Sequence, residues 1–372
     1  MKPALLRLLV CACMGLTLPV FAQPAPAVPG PGEGSVTRTP APLAISLAVW
    51  NPFPGEFAIR TRDGHYLTAI NGGGRAVDPI VVTVATNAGA WEKFRLAYMS
   101  PASAHDRSIQ TASGHYLTAV NGGGMTSDAL HTDATQVRAW EQFRLLDLGT
   151  GGIAPTYFAI QTIQGRYLTA LGEGGRYNDA MHTDATQIQA WEQFRIVKCG
   201  DLGSGNQYTI LSANDLPLTA AEGGGQTHGY ALTHGGWPGD TPDRSWAKFR
   251  VLRQPDGSYA LQTANGQNYL TALGGGGHVQ RAETCPSGLT GACLAGVSAI
   301  FHTDATQVRA WEQFRLVDQG NCKYTIQTSS GFYFGLYKDG ADTLFTTRRS
   351  SVSENEKFQF VMHGLASPAV FK

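Results

Sequence analysis

The sequence predicts an all-β fold built from six copies of a four-stranded unit, and three observations lead to that prediction. Of the 372 residues, 45 are glycine and 19 are proline, which is typical of a chain rich in turns. Short segments alternate apolar and polar residues with the period of two that half-buried strands show. The motif Trp-Glu-x-Phe, or a degraded form of it, recurs with its Phe spaced by 44 to 65 residues. Units of this length are typical of repeated β architectures.

Composition excludes several classes of protein. The chain carries 28 basic and 28 acidic side chains, so it has no global positive field to attract nucleic acid or an anionic membrane. Hydrophobic residues make up 42% of the chain and charged residues 15%, a composition that predicts a folded protein. No apolar run reaches the roughly 18 to 20 residues that a transmembrane helix needs. We therefore expect no nucleic-acid partner and no transmembrane segment.

The first 22 residues have the form of a secretory signal peptide. Two basic residues precede the apolar stretch 8–21, and Ala22 is the small residue that signal peptidase prefers at the cleavage point. The prediction is a protein secreted to an extracellular or periplasmic space after removal of residues 1–22. A lipoprotein cleaved before Cys11 or Cys13 is the alternative, although neither cysteine follows a convincing lipobox.

The chain after the signal peptide divides into three parts. Residues 23–53 are rich in proline and alanine, which predicts an extended, semi-rigid linker. The repeats follow and fall into two sets of three. We expect the first domain to span residues 54–200 and the second domain to span residues 201–372.

Four cysteines remain after the signal peptide, an even number in an oxidising compartment. Four cysteines allow three pairings. The short separation of Cys285 and Cys293 favours a first bridge between them, which leaves Cys199 to pair with Cys322. Zinc binding is the poorer alternative, because the chain has no C-x-x-C spacing.

The repeats share one internal order, from which the sixth copy departs because it lacks the glycine cluster and the Trp. A first strand leads into a turn residue that tolerates positive φ, and the six turn residues are Gly64, Gly114, Gly165, Asp215, Gly266 and Gly331. A second strand, such as Tyr116-Leu-Thr-Ala119, ends in a glycine cluster. A third short segment, such as His131-Thr-Asp-Ala-Thr135, precedes the Trp-Glu-x-Phe motif. The Phe of that motif opens the fourth strand, and we expect the Trp to lie in the core.

Two architectures fit a four-stranded unit of about 50 residues, a β-propeller blade and one lobe of a β-trefoil. The loop after the glycines varies in length while Trp-Glu-x-Phe stays constant, which favours the trefoil over a kelch-type blade. Three such units close a barrel. The predicted fold class is therefore all-β, with two tandem β-trefoils built from six four-stranded repeats.

The succession Gly-x-Tyr-Leu-Thr-Ala, Gly-Gly-Gly, Thr-Asp-Ala and Trp-Glu-x-Phe-Arg-Leu resembles the fascin-like β-trefoil family of actin-crosslinking type. The resemblance covers about residues 55–362 and is strongest in the first, second, third and fifth copies. It implies the same fold of two tandem trefoils. It says little about a ligand, because trefoils serve unrelated functions.

Nothing in the repeats predicts catalysis or a cofactor. A residue present in every copy is distributed around an axis, and repetition favours a packing role. We expect a structural role for the motif glutamates, which are Glu92, Glu141, Glu192 and Glu312. The histidines of the His-Thr-Asp segments, His131, His182 and His302, lie in different copies, so metal binding is disfavoured. The glycine clusters lack a following Lys and Ser or Thr, which excludes a phosphate-binding loop.

Residues that interrupt the pattern are the candidates for a ligand site. The loop of the fourth copy contains aromatic and imidazole side chains suited to stacking against sugar rings: His228, Tyr230, His234 and Trp237. A local packing patch is the alternative for these four. The turns after the second strands supply further polar side chains: Asn71, Asn121, Glu173 and Glu222. The long insertion at residues 278–299 is either a binding loop or a neutral insertion.

These observations predict a secreted, noncatalytic protein that binds extracellular polysaccharide or glycoconjugate through loops of its two trefoils. The alternative is a secreted actin-binding or bundling protein of fascin type. A signal peptide and the absence of a broad basic face both disfavour actin as the partner.

Overall fold

The computed structural model describes residues 55–99, 107–149, 157–234, 244–281, 297–339 and 342–363. These residues belong to one compact unit. The signal peptide, the linker, Trp237, Cys285 and Cys293 lie outside the described residues. Within the described ranges, no helix has the length and apolar character needed to cross a bilayer.

The described residues contain 24 strands, in six successive sets of four that we call lobes 1 to 6. The first three lobes comprise β1 Glu56–Arg60, β2 Tyr66–Ala69, β3 Val81–Ala85, β4 Lys93–Tyr98, β5 Arg107–Gln110, β6 Tyr116–Ala119, β7 Leu130–Ala134, β8 Phe143–Asp147, β9 Phe158–Thr162, β10 Tyr167–Ala170, β11 Met181–Ala185 and β12 Arg195–Cys199. The last three comprise β13 Gln207–Leu211, β14 Leu218–Ala220, β15 Leu232–His234, β16 Lys248–Arg253, β17 Tyr259–Gln262, β18 Tyr269–Ala272, β19 Phe301–Ala305, β20 Arg315–Asp318, β21 Tyr324–Gln327, β22 Tyr333–Asp339, β23 Asp342–Arg349 and β24 Lys357–Met362.

Ten short 3₁₀ turns connect these strands in the described chain. They span Ile70–Gly72, Val120–Gly122, Ala139–Glu141, Leu171–Glu173, Ala190–Glu192, Ala221–Gly223, Arg244–Ala247, Leu273–Gly275, Ala310–Glu312 and Glu354–Glu356. The predicted hairpin turns are also present. Each of the six predicted turn residues has φ between +60° and +101°, the left-handed region that glycine and aspartate tolerate.

The first and fourth strands of each lobe build two closed barrels. In the first barrel the antiparallel neighbours run β1, β4, β5, β8, β9 and β12, and β12 pairs with β1 to close the ring. In the second barrel they run β13, β16, β17, β20, β21 and β24, and β24 pairs with β13. The remaining two strands of each lobe form a hairpin. Each six-stranded barrel, together with its three hairpins, is a β-trefoil. The structure therefore contains two β-trefoils, which confirms the predicted fold class.

Large apolar side chains fill both barrels. Phe57, Phe143 and Phe158 are at most 1% exposed in the first barrel, and Phe249 and Phe358 are fully buried in the second. The apolar faces of the alternating strands converge on this core, as their period of two predicts.

Several contacts join the two barrels in the part of the chain that the structure describes. Val197 of β12 pairs with Val361 of β24, and Cys199 is bonded to Cys322 in a disulfide that spans 123 residues of sequence. A polar cluster around Arg60 also joins them, and the Tyr324 hydroxyl of the second barrel donates to the Lys198 and Gly200 carbonyls. The structure therefore contains one of the two bridges that the cysteine spacing favoured, and the other lies outside the described residues.

Candidate functional site

Three similar surface clefts recur in lobes 2, 3 and 5. The cleft of lobe 2 has a volume of about 620 Å³ and is lined by residues that include His131, Asp133 and Trp140. The cleft of lobe 5 has a volume of about 660 Å³, and His302 and Trp311 are among its lining residues. The cleft of lobe 3 is smaller, about 320 Å³, and its lining runs from Ala185 to Glu192. The repeat therefore produces a repeated concave site.

The tryptophan of each cleft lies at the surface. Trp140, Trp191 and Trp311 are 46%, 43% and 49% exposed, so the expectation of a core tryptophan is wrong. The Phe three positions later is the residue of the motif that fills the barrel core. The edge of the Trp140 ring packs against the glycine cluster, where a Cβ at Gly122 would lie 3.4 Å from Trp140 Cδ1. The absence of a side chain at this glycine lets the ring lie against the turn while much of its surface stays open to solvent.

The glutamate beside each tryptophan holds the turn in place. Glu141 accepts a hydrogen bond from the Thr118 hydroxyl at 2.8 Å and one from the Arg138 backbone N–H at 2.7 Å. Glu312 accepts the equivalent bonds from Thr271 and Arg309, both at 2.8 Å. These glutamates are about 5% exposed. The geometry supports the structural role expected for them, since both carboxylate oxygens are used to fix the turn that carries the tryptophan.

A histidine and an aspartate line the same face of the third strand. In lobe 2, Thr132 is fully buried, while His131 and Asp133 on either side of it point outward. His131 Nδ1 lies 4.0 Å from Asp133 Oδ1, and the corresponding distance is 3.8 Å in lobes 3 and 5. His131 Nε2 lies 2.8 Å from Asp128 Oδ1. The aspartates remain about half exposed and offer hydrogen-bond acceptors to a ligand.

Metal binding has no geometric support in the part of the chain that the structure describes. No group of three His, Cys, Asp or Glu side chains there is arranged to hold an ion. The histidines of lobes 2, 3 and 5 instead contact neighbouring aspartates.

The other lobes depart from this site in different ways. Lobe 1 retains an exposed tryptophan, Trp91, but Val82 and Val84 occupy the strand positions of the histidine and the aspartate. In lobe 4 the glutamate of the motif is replaced by Ala247, and Trp246 is half-buried. Lobe 6 lacks the tryptophan. The complete set of tryptophan, histidine and aspartate therefore occurs in lobes 2, 3 and 5.

The residues predicted in the fourth copy lie apart from these clefts. His228 is exposed, and Tyr230 is half-buried. His234 is half-buried with its ring 5.7 Å from that of Phe345 in lobe 6, in an edge-on arrangement. Burial, together with the charge of Lys338, lowers the pKa of His234. For His234 the contacts favour the packing alternative. Trp237, the fourth member, lies outside the described residues.

The polar side chains predicted after the second strands lie on the 3₁₀ turns next to the tryptophan turns. The turn Val120–Gly122, which carries Asn121, packs against Ala139–Glu141, which carries Trp140. Asn71, Asn121 and Glu222 occupy equivalent left-handed positions and are exposed. Glu173 stands one position later, where lobes 1, 2, 4 and 5 have glycine, and its carboxylate lies 3.7 Å from the Arg62 guanidinium. The structure therefore places Asn121 and Glu173 near the clefts.

The sequence contains a pattern that could have indicated the clefts, although repetition favoured a packing role for its residues. His and Asp alternate with a buried Thr in the third strand, so they share one face, and a Trp follows seven residues after the Asp in lobes 2, 3 and 5. Repetition excludes convergence of these residues on a single catalytic centre. It does not exclude several separate binding sites.

Strand pairing and the closed rings define this chain as a tandem β-trefoil protein. No family model matches the chain, and no curated protein matches it. Among solved structures, it is similar to the designed threefold-symmetric protein ThreeFoil, with 17% identity over 38% of this chain and 98% of that one and a TM-score of 0.32. It is also similar to the BEL β-trefoil, at 9% identity over 44% and 97% of the two chains, with a TM-score of 0.31. It is similar as well to the Rhizoctonia solani agglutinin, with 15% identity over 45% of this chain and 100% of that one and a TM-score of 0.30.

Proposed function

We propose that the protein is a secreted, noncatalytic glycan-binding protein whose ligand occupies the clefts of lobes 2, 3 and 5. The observation that carries the proposal is the recurrence of a half-exposed tryptophan in all three clefts, joined in the clefts of lobes 2 and 5 by outward-facing His and Asp side chains. The proposed ligand is an extracellular polysaccharide or glycoconjugate. Secretion is supported by the signal-peptide pattern of residues 1–22, and the repeat motif supports membership of the fascin-like trefoil family.

The chemistry of the clefts suits a sugar. A pyranose ring has an apolar face formed by its C–H groups, which stacks on the flat face of an indole. Its hydroxyl groups donate hydrogen bonds, and carboxylates such as Asp133 and Asp304 accept them. A shallow, open cleft also matches a ligand that remains attached to a polymer, because the chain must continue on both sides.

Three sites of this kind gain strength by acting together. A single shallow cleft with one stacked ring is expected to bind with a dissociation constant of about 1 mM, which corresponds to roughly −4 kcal/mol. Simultaneous engagement of several sites on one polymer raises the apparent affinity by about 10²- to 10⁴-fold. A multivalent glycan should therefore bind far more tightly than its monosaccharide.

The test uses the chain that comprises residues 23–372. Its binding is measured on an array of polysaccharides and glycoconjugates. Variants with one, two and three of the substitutions Trp140→Ala, Trp191→Ala and Trp311→Ala are measured in parallel. Trp91→Ala is the matched control, since Trp91 is 45% exposed but its lobe has Val82 and Val84 at the strand positions of the His and the Asp. We expect stepwise loss of binding with the first three substitutions and no loss with Trp91→Ala.

Two results would contradict the proposal. One is an array with no signal above background. The other is a glycan signal that the triple variant retains while its circular dichroism spectrum and unfolding midpoint match the wild type, which would place the ligand elsewhere.

A further inference from the structure

The three hairpin loops of the first trefoil converge on a second kind of cavity. Residues 78–81 of lobe 1, 126–130 of lobe 2 and 177–181 of lobe 3 line a space of about 300 Å³. Because each lobe contributes the segment that leads into its third strand, the cavity lies at the pseudo-threefold axis. It is separate from the tryptophan clefts, whose lining comes from one lobe each.

The cavity has an apolar floor and an acidic rim. Ile80, Leu130 and Met181, one from each lobe, are 2%, 4% and 7% exposed and form the floor together with smaller side chains. The rim contains three exposed carboxylates, and these are Asp78, Asp128 and Asp179. Tyr177, which is 51% exposed, stands beside them. None of the lining residues is basic.

The groups that face the rim leave it negative. Asp128 lies 2.8 Å from His131 Nε2, and Asp179 lies 2.8 Å from His182 Nε2. The Arg176 guanidinium lies 3.8 Å from Asp179. The three carboxylates therefore outnumber the two nearby guanidinium groups, which belong to Arg176 and Arg75. The side chain of the neighbouring Arg75 is bonded to the backbone carbonyls of Val77 and Pro79.

In the second trefoil, one side chain connects the corresponding segments of all three lobes. Gln280 of lobe 5 is 4% exposed, and its Nε2 donates to the Gly229 carbonyl of lobe 4 at 2.7 Å. Its Oε1 accepts a bond from the Phe345 N–H of lobe 6 at 3.1 Å. A side chain at Gly229 would also collide with the Val297 carbonyl. The trefoil framework thus accommodates an inserted group at this position, and the first trefoil leaves the position open.

We propose that the axial cavity of the first trefoil binds a primary ammonium ion attached to a small apolar group. The apolar group occupies the floor of Ile80, Leu130 and Met181, where its burial is favourable. The ammonium group remains at the rim, where it donates hydrogen bonds to the carboxylates and lies near the Tyr177 ring. This chemistry is found in free alkylamines and in the N-terminal apolar residue of a peptide.

The experiment titrates the chain 23–372 by calorimetry with 3-methylbutan-1-amine and with 3-methylbutan-1-ol, which has the same apolar group without the charge. The peptide Leu-Gly-Gly and its N-acetylated form make the same comparison for a peptide terminus. We expect saturable binding of the ammonium compounds at about millimolar concentration and at least tenfold weaker binding of the uncharged partners. Tighter binding of the alkylamine would identify the ligand as a free alkylamine, and tighter binding of Leu-Gly-Gly would identify it as a peptide N-terminus.

Variants locate the site. Asp128→Asn and Asp179→Asn should each weaken ammonium binding about three- to tenfold, and Ser127→Tyr at the exposed rim should block it. Asp147→Asn, an exposed carboxylate of the same trefoil outside the cavity, is the control and should have no effect. The proposal is overturned if the uncharged compounds bind equally well, if no ammonium compound saturates, or if folded Ser127→Tyr binds like the wild type.

Discussion

Arg60 and Asp215 form a bidentate ion pair that joins lobe 1 to lobe 4. Arg60 Nη2 donates to Asp215 Oδ2 at 2.7 Å, and Nη1 donates to Oδ1 at 2.5 Å. Arg195 Nη1 lies 3.7 Å from the same carboxylate. Gln359 of β24 completes the cluster, accepting from Arg60 and donating to the Tyr66 hydroxyl. A polar connection between the two barrels therefore supplements the Val197–Val361 pairing and the disulfide.

Both members of this pair depart from the repeat. Where lobe 1 has Arg60, four other lobes have glutamine, whose amide donates to the carbonyl of the turn glycine: Gln110, Gln161, Gln262 and Gln327. Arg60 keeps that bond through Nε, which donates to the Gly64 carbonyl at 3.0 Å. Asp215 stands where the other turns have glycine and adopts φ of +60°. Each departure supplies one half of the ion pair.

The first prediction concerns the energetic coupling of this pair. Arg60→Gln restores the repeat residue, and Asp215→Asn keeps the shape and the tolerance of positive φ while removing the charge. Because Asp215 is 42% exposed, we expect each variant to lower the free energy of unfolding by about 1–2 kcal/mol. A double-mutant cycle by urea denaturation should give a coupling of about 1 kcal/mol. Strict additivity would show that the two side chains contribute independently.

The second prediction concerns the contribution of Asp215 to stability at acidic pH. Burial raises the pKa of Asp215, but the hydrogen bonds and charges of Arg60 and Arg195 outweigh it and hold the pKa below its usual range. The stabilisation is therefore complete above the unfolded-state pKa of about 4 and is lost as the pH falls through the lower, folded-state pKa. The difference in unfolding free energy between wild type and Asp215→Asn should stay constant from pH 7 to about pH 5 and shrink below about pH 4. A difference that grows in acid would contradict it.

The third prediction concerns Lys198, whose side chain is buried with its ammonium group 2.8 Å from the Cys199 carbonyl and 4.7 Å from the centroid of the Phe57 ring. Burial lowers the pKa of Lys198 to about 8. The folded state therefore holds this proton less tightly than the unfolded state, whose pKa is about 10.4. The stability of wild type relative to Lys198→Met should rise between pH 8 and about pH 10.4. Parallel pH curves for the two proteins would disprove this.

Removal of the disulfide gives the fourth prediction. The Cys199–Cys322 bridge closes a loop with a sequence separation of 123 residues, so it greatly restricts the unfolded chain. In the chain-entropy model, the double variant Cys199→Ser with Cys322→Ser should lose about 5 kcal/mol of unfolding free energy. Equilibrium denaturation of both proteins without reductant measures the loss. An unchanged midpoint would show that the contacts between the barrels restrict the chain without the bridge.

The fifth prediction concerns the glutamate that fixes the tryptophan turn. Glu141→Gln replaces one carboxylate oxygen with a donor that faces either the Thr118 hydroxyl or the Arg138 N–H. We expect a loss of about 1–3 kcal/mol in unfolding free energy and a shift in Trp140 fluorescence. The exposed Glu222→Gln serves as the control and should behave like the wild type. Equal stability of the two variants would exclude a structural role for Glu141.

The architecture was predictable from the sequence because local features determine it. The alternation of strand residues and the turn residues with positive φ, such as Gly114 and Asp215, occur within short stretches of chain. The ion pair of Arg60 was not predictable in this way, because its partner lies 155 residues away. The sequence shows that both residues interrupt the repeat, but only the packing of lobe 1 against lobe 4 shows that they meet.

The clefts were harder to predict because the hydrophobicity of their tryptophan suggests a place in the core, whereas the residue lies at the surface. Trp140 has a large apolar side chain, yet its turn directs it to the surface, and Phe143 takes the place in the barrel. The ring is positioned by Gly122, which comes from a different segment of the same lobe. The exposure of a side chain depends on such neighbours, and a pattern of residue types along the chain does not contain that information.

The pairing of β12 with β1 and of β24 with β13 also limits how this protein can evolve. A ring that is already closed has no free strand edge to which a single additional repeat could pair. Gain or loss of one copy would leave a barrel incomplete, whereas gain or loss of three copies leaves every ring whole. Proteins built on this unit should therefore vary in length by whole trefoils, and sequence differences between individual lobes become the main means of changing the number of binding sites.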